Sequence, residues 1–238
     1  MNAVNSKAYQ EWQAKCQTLF TPEYRFPGRD RTEKLADGFS VRFQVYHGEI
    51  EGRNLLYVSE NTLYDKTDKA VFTWRNLDAD GEFVSLFRHA NGRHYLVFRI
   101  DLYGYGVVEL ESGRELHYIP ASAYPEEGES FQETFIWTGA DYDPKSSLLA
   151  VDGCYWACPA SAIVLDFSDP LAAQPVERWF EVREIIDPED TTYEDIELVG
   201  WDNGVLCLKG DGESSEIRLT AKEIKEHMKT LMCTTKMA

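Results

Sequence analysis

Leu148-Leu149-Ala150-Val151, followed by Asp152-Gly153-Cys154-Tyr155-Trp156-Ala157-Cys158-Pro159 and then Ile163-Val164-Leu165-Asp166, is the stretch that decides the fold. Two short runs of aliphatic residues flank a segment containing Gly and Pro, the signature of two strands joined as a hairpin. The same logic recurs three times. Leu55-Leu56-Tyr57-Val58 pairs with Val71-Phe72-Thr73-Trp74, and Tyr95-Leu96-Val97-Phe98 pairs with Val107-Val108-Glu109-Leu110. Val205-Leu206-Cys207-Leu208 pairs with Glu216-Ile217-Arg218-Leu219. Within each pair the two runs start 11 to 16 residues apart.

Each hairpin is preceded by a further strand-like run, at Val41–Tyr46, Phe83–Phe87, Thr134–Trp137 and Ile196–Val199. Turn residues separate that run from its hairpin. They are Gly48–Asn54, Ala90-Asn91-Gly92, Ala140–Pro144 and Asp202-Asn203-Gly204. Asn-Gly is a strong turn signal because both residues accept positive φ. Strands at Arg114–Ile119 and Val176–Val182 follow two of the hairpins. Aromatic residues make up 13% of the chain, which fits half-buried pleated surfaces. The expectation is a mainly β, antiparallel domain of about four strand-hairpin units.

The segment from Trp137 through Ala140-Asp141-Tyr142-Asp143-Pro144 to Leu149-Ala150-Val151 resembles a blade of the WD40-like β-propellers. In those repeats a buried first strand leads through an Asp- and Pro-containing turn to an apolar second strand. The resemblance extends over residues 39–219 and implies a propeller-like array. No Gly-His or Trp-Asp signature ends a unit, and the one Trp-Asp pair, Trp201-Asp202, reads as part of a turn. A β sandwich or an irregular barrel accounts for the same number of strands.

Helices are expected to bracket the β region. Trp12, Cys16, Leu19 and Phe20 lie on one stripe of 3.6-residue period, with Ser6 as cap and Pro22 as stop. Thr220 and Glu223 form a capping box before Ile224, Met228, Leu231 and Met232. The organisation is then residues 1–38 as helix and connection, 39–219 as the repeated β domain, and 220–238 as a helix packed on it.

Charge narrows the function classes. The net charge is −17, yet residues 1–36 and 221–238 each carry two more basic than acidic residues, which leaves −21 between them. A body of that sign repels phosphate backbones and anionic lipid, so nucleic acid and membranes are not the expected partners. No segment reads as an export signal or as a run of some 18 apolar residues. Five sparse cysteines, Cys16, Cys154, Cys158, Cys207 and Cys233, read as reduced thiols, so a cytoplasmic location is expected.

Several constellations were weighed for chemistry. Asn76, Asp78, Asp80 and Gly81 match the opening of a calcium loop, but Phe87 stands where the bidentate Glu belongs, so an Asp-rich hairpin turn is expected. Cys154 and Cys158 supply two thiols where zinc needs four ligands. His89 and His94 flank a tight turn and read as solvated. No cofactor and no metal is expected.

The candidate binding residues are Trp137, Asp141, Asp143, Asp152, Tyr155 and Trp156, with Arg99, Asp101 and Tyr103 in the comparable place of the preceding unit. Flat aromatic faces beside carboxylates suit a sugar or a cationic peptide. The acidic run Asp187, Glu189, Asp190, Glu194, Asp195 and Glu197 suits a basic partner. The expected function is a noncatalytic binding or scaffold protein presenting acidic, aromatic loops to a basic protein or small polar ligand. The alternatives are a carbohydrate-active hydrolase using paired carboxylates, and an acidic inhibitor of a basic partner.

Overall fold

The computed structural model describes residues 2–50, 53–173, 175–186, 193–211 and 216–234. Part of the acidic run, Asp187, Glu189 and Asp190, lies outside these residues, as do the side chains of Leu231 and Met232. The chain is mainly β, with four antiparallel sheets each built from strands consecutive in sequence. The first contains β1 (Arg31–Lys34), β2 (Ser40–Ile50), β3 (Arg53–Tyr64) and β4 (Ala70–Asn76). The second contains β5 (Val84–Arg88), β6 (His94–Arg99), β7 (Tyr105–Glu109) and β8 (Arg114–Tyr118). The third contains β9 (Ile136–Asp143), β10 (Leu148–Cys154), β11 (Ala160–Asp166) and β12 (Phe180–Glu181). The fourth contains β13 (Ile196–Asp202), β14 (Val205–Gly210) and β15 (Glu216–Thr220). Among the described residues no sheet closes on itself, since the first and last strands of each are not paired.

Alternation along the central strands explains how the sheets meet. On β6, Leu96 and Phe98 enter the core shared with the first sheet, while Tyr95 and Val97 enter the core shared with the third. On β10, Leu149 and Val151 face the second sheet, while Leu148 and Ala150 join Leu206 and Leu208 of the fourth. Successive residues of a strand point to opposite faces, so a sheet buried on both sides needs apolar residues at every position. That is why Tyr95–Phe98 and Leu148–Val151 are unbroken apolar runs.

All four expected hairpins are present as β3–β4, β6–β7, β10–β11 and β14–β15. Several local readings change. Of the strand expected at Val176–Val182 only Phe180–Glu181 pairs, as β12, while Val176–Arg178 forms a 3-10 turn. Residues 21–38, expected to be a connection, contribute β1, a polar edge strand whose Arg-Thr-Glu-Lys sequence carries no apolar period. Residues Ala140–Asp143, expected to be a turn, continue β9, and the turn falls at Pro144–Ser147, where Ser147 has a φ of 57°. Trp201-Asp202 ends β13, and Asn203-Gly204 alone forms the following turn with φ values of 53° and 85°.

Among the described residues there are three α-helices: α1 (Lys7–Gln17), the short α2 (Arg183–Ile186) and α3 (Ala221–Thr234). Ser6 caps α1 by accepting the Tyr9 N–H. The capping box of α3 forms as expected, Glu223 accepting the Thr220 N–H at 2.8 Å while Thr220 Oγ1 accepts the Glu223 N–H at 3.2 Å. Ile224 and Met228 pack into the core between the third and fourth sheets. None of the described helices is long and apolar enough to cross a membrane.

Candidate functional site

Where β6 and β10 finish and β9 begins, the second and third sheets part and leave a cleft of about 520 Å³. Its walls come from Arg99 at the end of β6, Ile136 and Thr138 on β9, Cys154 at the end of β10, and Trp156 in the turn beyond. The connection between the first and second sheets supplies Asp78, Asp80 and Gly81 on the facing side. This connection is a single 3-10 turn, Ala79–Gly81, capped by Asp78, whose carboxylate accepts the Asp80 N–H. Asn76 braces it from β4, donating to the Asp78 carbonyl at 2.8 Å and accepting the Asp78 N–H at 3.1 Å.

Arg99 ties the turn to the second sheet. Its side chain is 3% exposed; Nη1 donates to the Gly81 carbonyl at 2.6 Å and Nε to the Asp101 carbonyl at 3.1 Å. Asp78 Oδ1 lies 3.6 Å from Nη2. A Cβ on residue 81 would sit 2.2 Å from the guanidinium, so only glycine lets the arginine dock there. Asp80 on the rim is paired with Arg29 at 2.7 Å. Opposite, Trp156 is 65% exposed, its backbone N–H held by Glu133 and the next residue, Ala157, in a left-handed turn of φ 57°. Burial pushes the Cys154 thiol up, while Cys158 stands exposed; neither is disulfide-bonded.

Two buried carboxyls lie behind the cleft. Asp101 is enclosed, which drives its carboxyl upward, and it accepts the Trp12 indole N–H at 3.0 Å and the Leu102 N–H at 2.6 Å. Glu82 is likewise raised by burial, and it gathers Ser59, Asn61 and Arg31 around it. Isolated carboxylates are expelled from such surroundings, so these hydrogen bonds are what makes the burial tolerable.

The residues singled out from sequence divide into groups. Arg99 and Trp156 line the cleft, and Asp101 contributes its backbone carbonyl to Arg99. Tyr103 packs with Ala123 and Ile136 beside it. Trp137 lies in the core, its ring stacked on Tyr105 at 4.2 Å and 7°. Tyr155 is set edge-on against Phe135 at 5.4 Å.

The aspartates of the third sheet serve its neighbour. Asp152 accepts the Leu198 N–H at 3.0 Å and the Thr138 hydroxyl at 2.8 Å, and Asp141 accepts the Trp201 N–H at 2.7 Å. Both carboxylates therefore clamp β13. Gly200, at φ +131°, leaves room for Asp141, since a Cβ there would meet the carboxylate at 2.7 Å. Asp143 shapes the next turn by accepting the Ser146 N–H and hydroxyl at 3.0 and 2.6 Å.

Asp78, Asp80, Gly81 and Cys154 belong to the cleft although sequence reading set them aside. The signal was the calcium-loop-like spacing, which marks a tight acidic connection between sheets and not a hairpin. His89, expected to be solvated, is buried, with Nε2 3.0 Å from the Phe167 carbonyl and Nδ1 accepting the Asn91 N–H. The neutral imidazole protonated on Nε2 satisfies both contacts. His94 meets Glu111 at 2.8 Å instead. Among the described residues no group of three His, Cys, Asp or Glu side chains is placed to hold a metal. Comparison with known proteins finds no family model that matches this chain and no matching curated protein.

Proposed function

We propose that this chain is a noncatalytic binding protein whose cleft between the second and third sheets receives a basic side chain of a protein partner. The observation that carries this reading is Trp156, a large indole left 65% exposed at a formed cleft that Asp78 and Asp80 also line. A lysine or arginine entering there lies over an aromatic face and competes with Arg29 for Asp80, whose pair with it is half-exposed. The −21 charge of the body draws basic partners toward the surface at long range. The frame we propose is propeller-like, four sheets stacked face to face in chain order. Cys16, Cys154, Cys158 and Cys207 are not disulfide-bonded, which supports a cytoplasmic setting. Asp141 and Asp152 hold backbone N–H groups of β13, so their geometry lends no support to paired carboxylates hydrolysing a carbohydrate.

The test is fluorescence anisotropy with labelled hexa-lysine and hexa-arginine on the full chain. Binding is expected to weaken strongly as salt rises from about 50 to about 500 mM, because screening shortens the reach of the acidic body. Trp156→Ala and Asp80→Asn are each expected to weaken it several-fold at constant salt. Binding that ignores both substitutions would locate the contact elsewhere and overturn the reading.

A further inference from the structure

A second cavity, of about 360 Å³, lies in the seam between the first and second sheets under α1, away from the cleft described above. Its floor is apolar, formed by Phe72, Trp74 and Ile100. Phe72 and Trp74 are stacked at 5.8 Å and 19°; Trp74 is 5% exposed and backs the partly buried Phe72, which offers the accessible aromatic surface. The walls are polar and held in place. Arg75 donates to Glu60 through Nε and Nη2, both at 3.0 Å, and to Gln17 of α1 through Nη1. Stacking of the Arg75 guanidinium on Phe20 at 4.3 Å fixes it further.

The opposite wall is His117, with Glu115 two residues before it on β8 and on the same face. The imidazole is about one-third exposed, yet its Nε2 is itself buried and makes no hydrogen bond. Glu115 Oε2 lies 3.5 Å away, outside hydrogen-bonding alignment. Burial lowers the basicity of the ring, against the opposite pull of Glu115. A turn of the ring toward the cavity would let a ligand hydroxyl satisfy this nitrogen.

The lining selects the chemistry of that partner. Glu60 and Arg75 neutralise each other, and Glu115 remains, so an anion is disfavoured. The remaining polar groups are an imidazole nitrogen, a carboxylate and the amide of Gln13, which together call for a ligand that both donates and accepts along one edge. The stacked aromatic floor calls for a flat, C–H-rich face. We propose that this cavity is a binding site for a neutral ring polyol, a monosaccharide unit free or as a glycoside, laid on Phe72, with Trp74 behind it, and with its hydroxyls turned to His117, Glu115 and Gln13. The size suits such a ligand, since small-molecule sites begin at about 300 Å³. The inference is independent of the cleft reading, because it uses a different seam and no common residue.

The test is saturation-transfer-difference NMR and calorimetry on the full chain. The probes are methyl α-D-glucopyranoside, methyl α-D-mannopyranoside, methyl β-D-galactopyranoside and D-ribose, with inorganic phosphate and spermidine as charged controls. At least one sugar is expected to bind with its ring C–H protons most strongly saturated. Gln13→Ala, on the exposed side of α1, and Glu115→Gln are each expected to weaken it about tenfold, the loss of one good hydrogen bond. Both leave the fold intact, as an unchanged thermal midpoint would verify. Absence of binding for all four sugars overturns the proposal. So does binding indifferent to both substitutions, or a preference for phosphate or spermidine over every sugar.

Discussion

The seam between the second and third sheets and the seam between the third and fourth are built alike and finished differently. Each joins two antiparallel sheets through one layer of aliphatic and aromatic side chains. At the later seam, β13 turns the backbone N–H groups of Leu198 and Trp201 toward the third sheet, and Asp152 and Asp141 accept them. Two carboxylates thereby occupy the edge of a strand that would otherwise be free to pair elsewhere. At the earlier seam the Asp101 carboxyl points inward to Trp12, and an arginine takes the loop carbonyls instead. The edge is then held without being filled, and a cleft remains. An aspartate near a strand end seals a seam when the next sheet presents an N–H to it, and leaves the seam open when it is buried sideways.

That contrast is open to attack by substitution. The largest effect is expected for the double change Asp141→Ala with Asp152→Ala, which strips two part-buried backbone donors of their acceptors and should cost about 2–5 kcal/mol in urea unfolding. A loss under about 1 kcal/mol would mean that α3 and the apolar layer hold the fourth sheet without the clamp. Arg99→Ala is expected to cost less, about 2–3 kcal/mol, because water entering the cleft can hydrate the carbonyls of Gly81 and Asp101. A cost above that of the double clamp variant would reverse the distinction between sealed and open seams. Trp156→Ala is expected to change stability by no more than about 0.5 kcal/mol, as befits an exposed side chain. A larger loss would place the indole in the packing of the third sheet, not at a binding surface.

Much of the frame was legible in the sequence, and the reason is specific. The central sheets bury both faces, so β6, β10 and β11 are continuous apolar runs that stand out from the turns between them. The polar edge strand β1 exposes both faces and had no pattern to show. The cleft was only half legible. Trp156 and Arg99 drew attention as aromatic and charged residues near turns, but Asp141 and Asp143 were grouped with Trp156 because they are close in sequence. A seven-residue strand intervenes, and at about 3.3 Å per residue it carries the two ends of that group some 20 Å apart. What fills the place beside Trp156 comes from residues 78–81, more than seventy positions earlier. Only the stacking of sheets brings them together, and stacking leaves no local trace in the sequence.

One small set of contacts, made by Asn2 and Ala3, closes the longest loop of the first two sheets. Asn2 accepts the Ile119 N–H at 3.0 Å and donates to the His117 carbonyl at 2.8 Å, while the Ala3 N–H reaches the Ile119 carbonyl at 2.7 Å. These partners are separated by 115 to 117 positions, whereas every strand in a sheet pairs with its neighbour in sequence. Sheets made of neighbours form quickly, and long closures form slowly because the chain between them must first be gathered. Asn2 and Ala3 can make these bonds only once β8 and Ile119 are in place, so the segment that leads into α1 is tied to the far end of the second sheet.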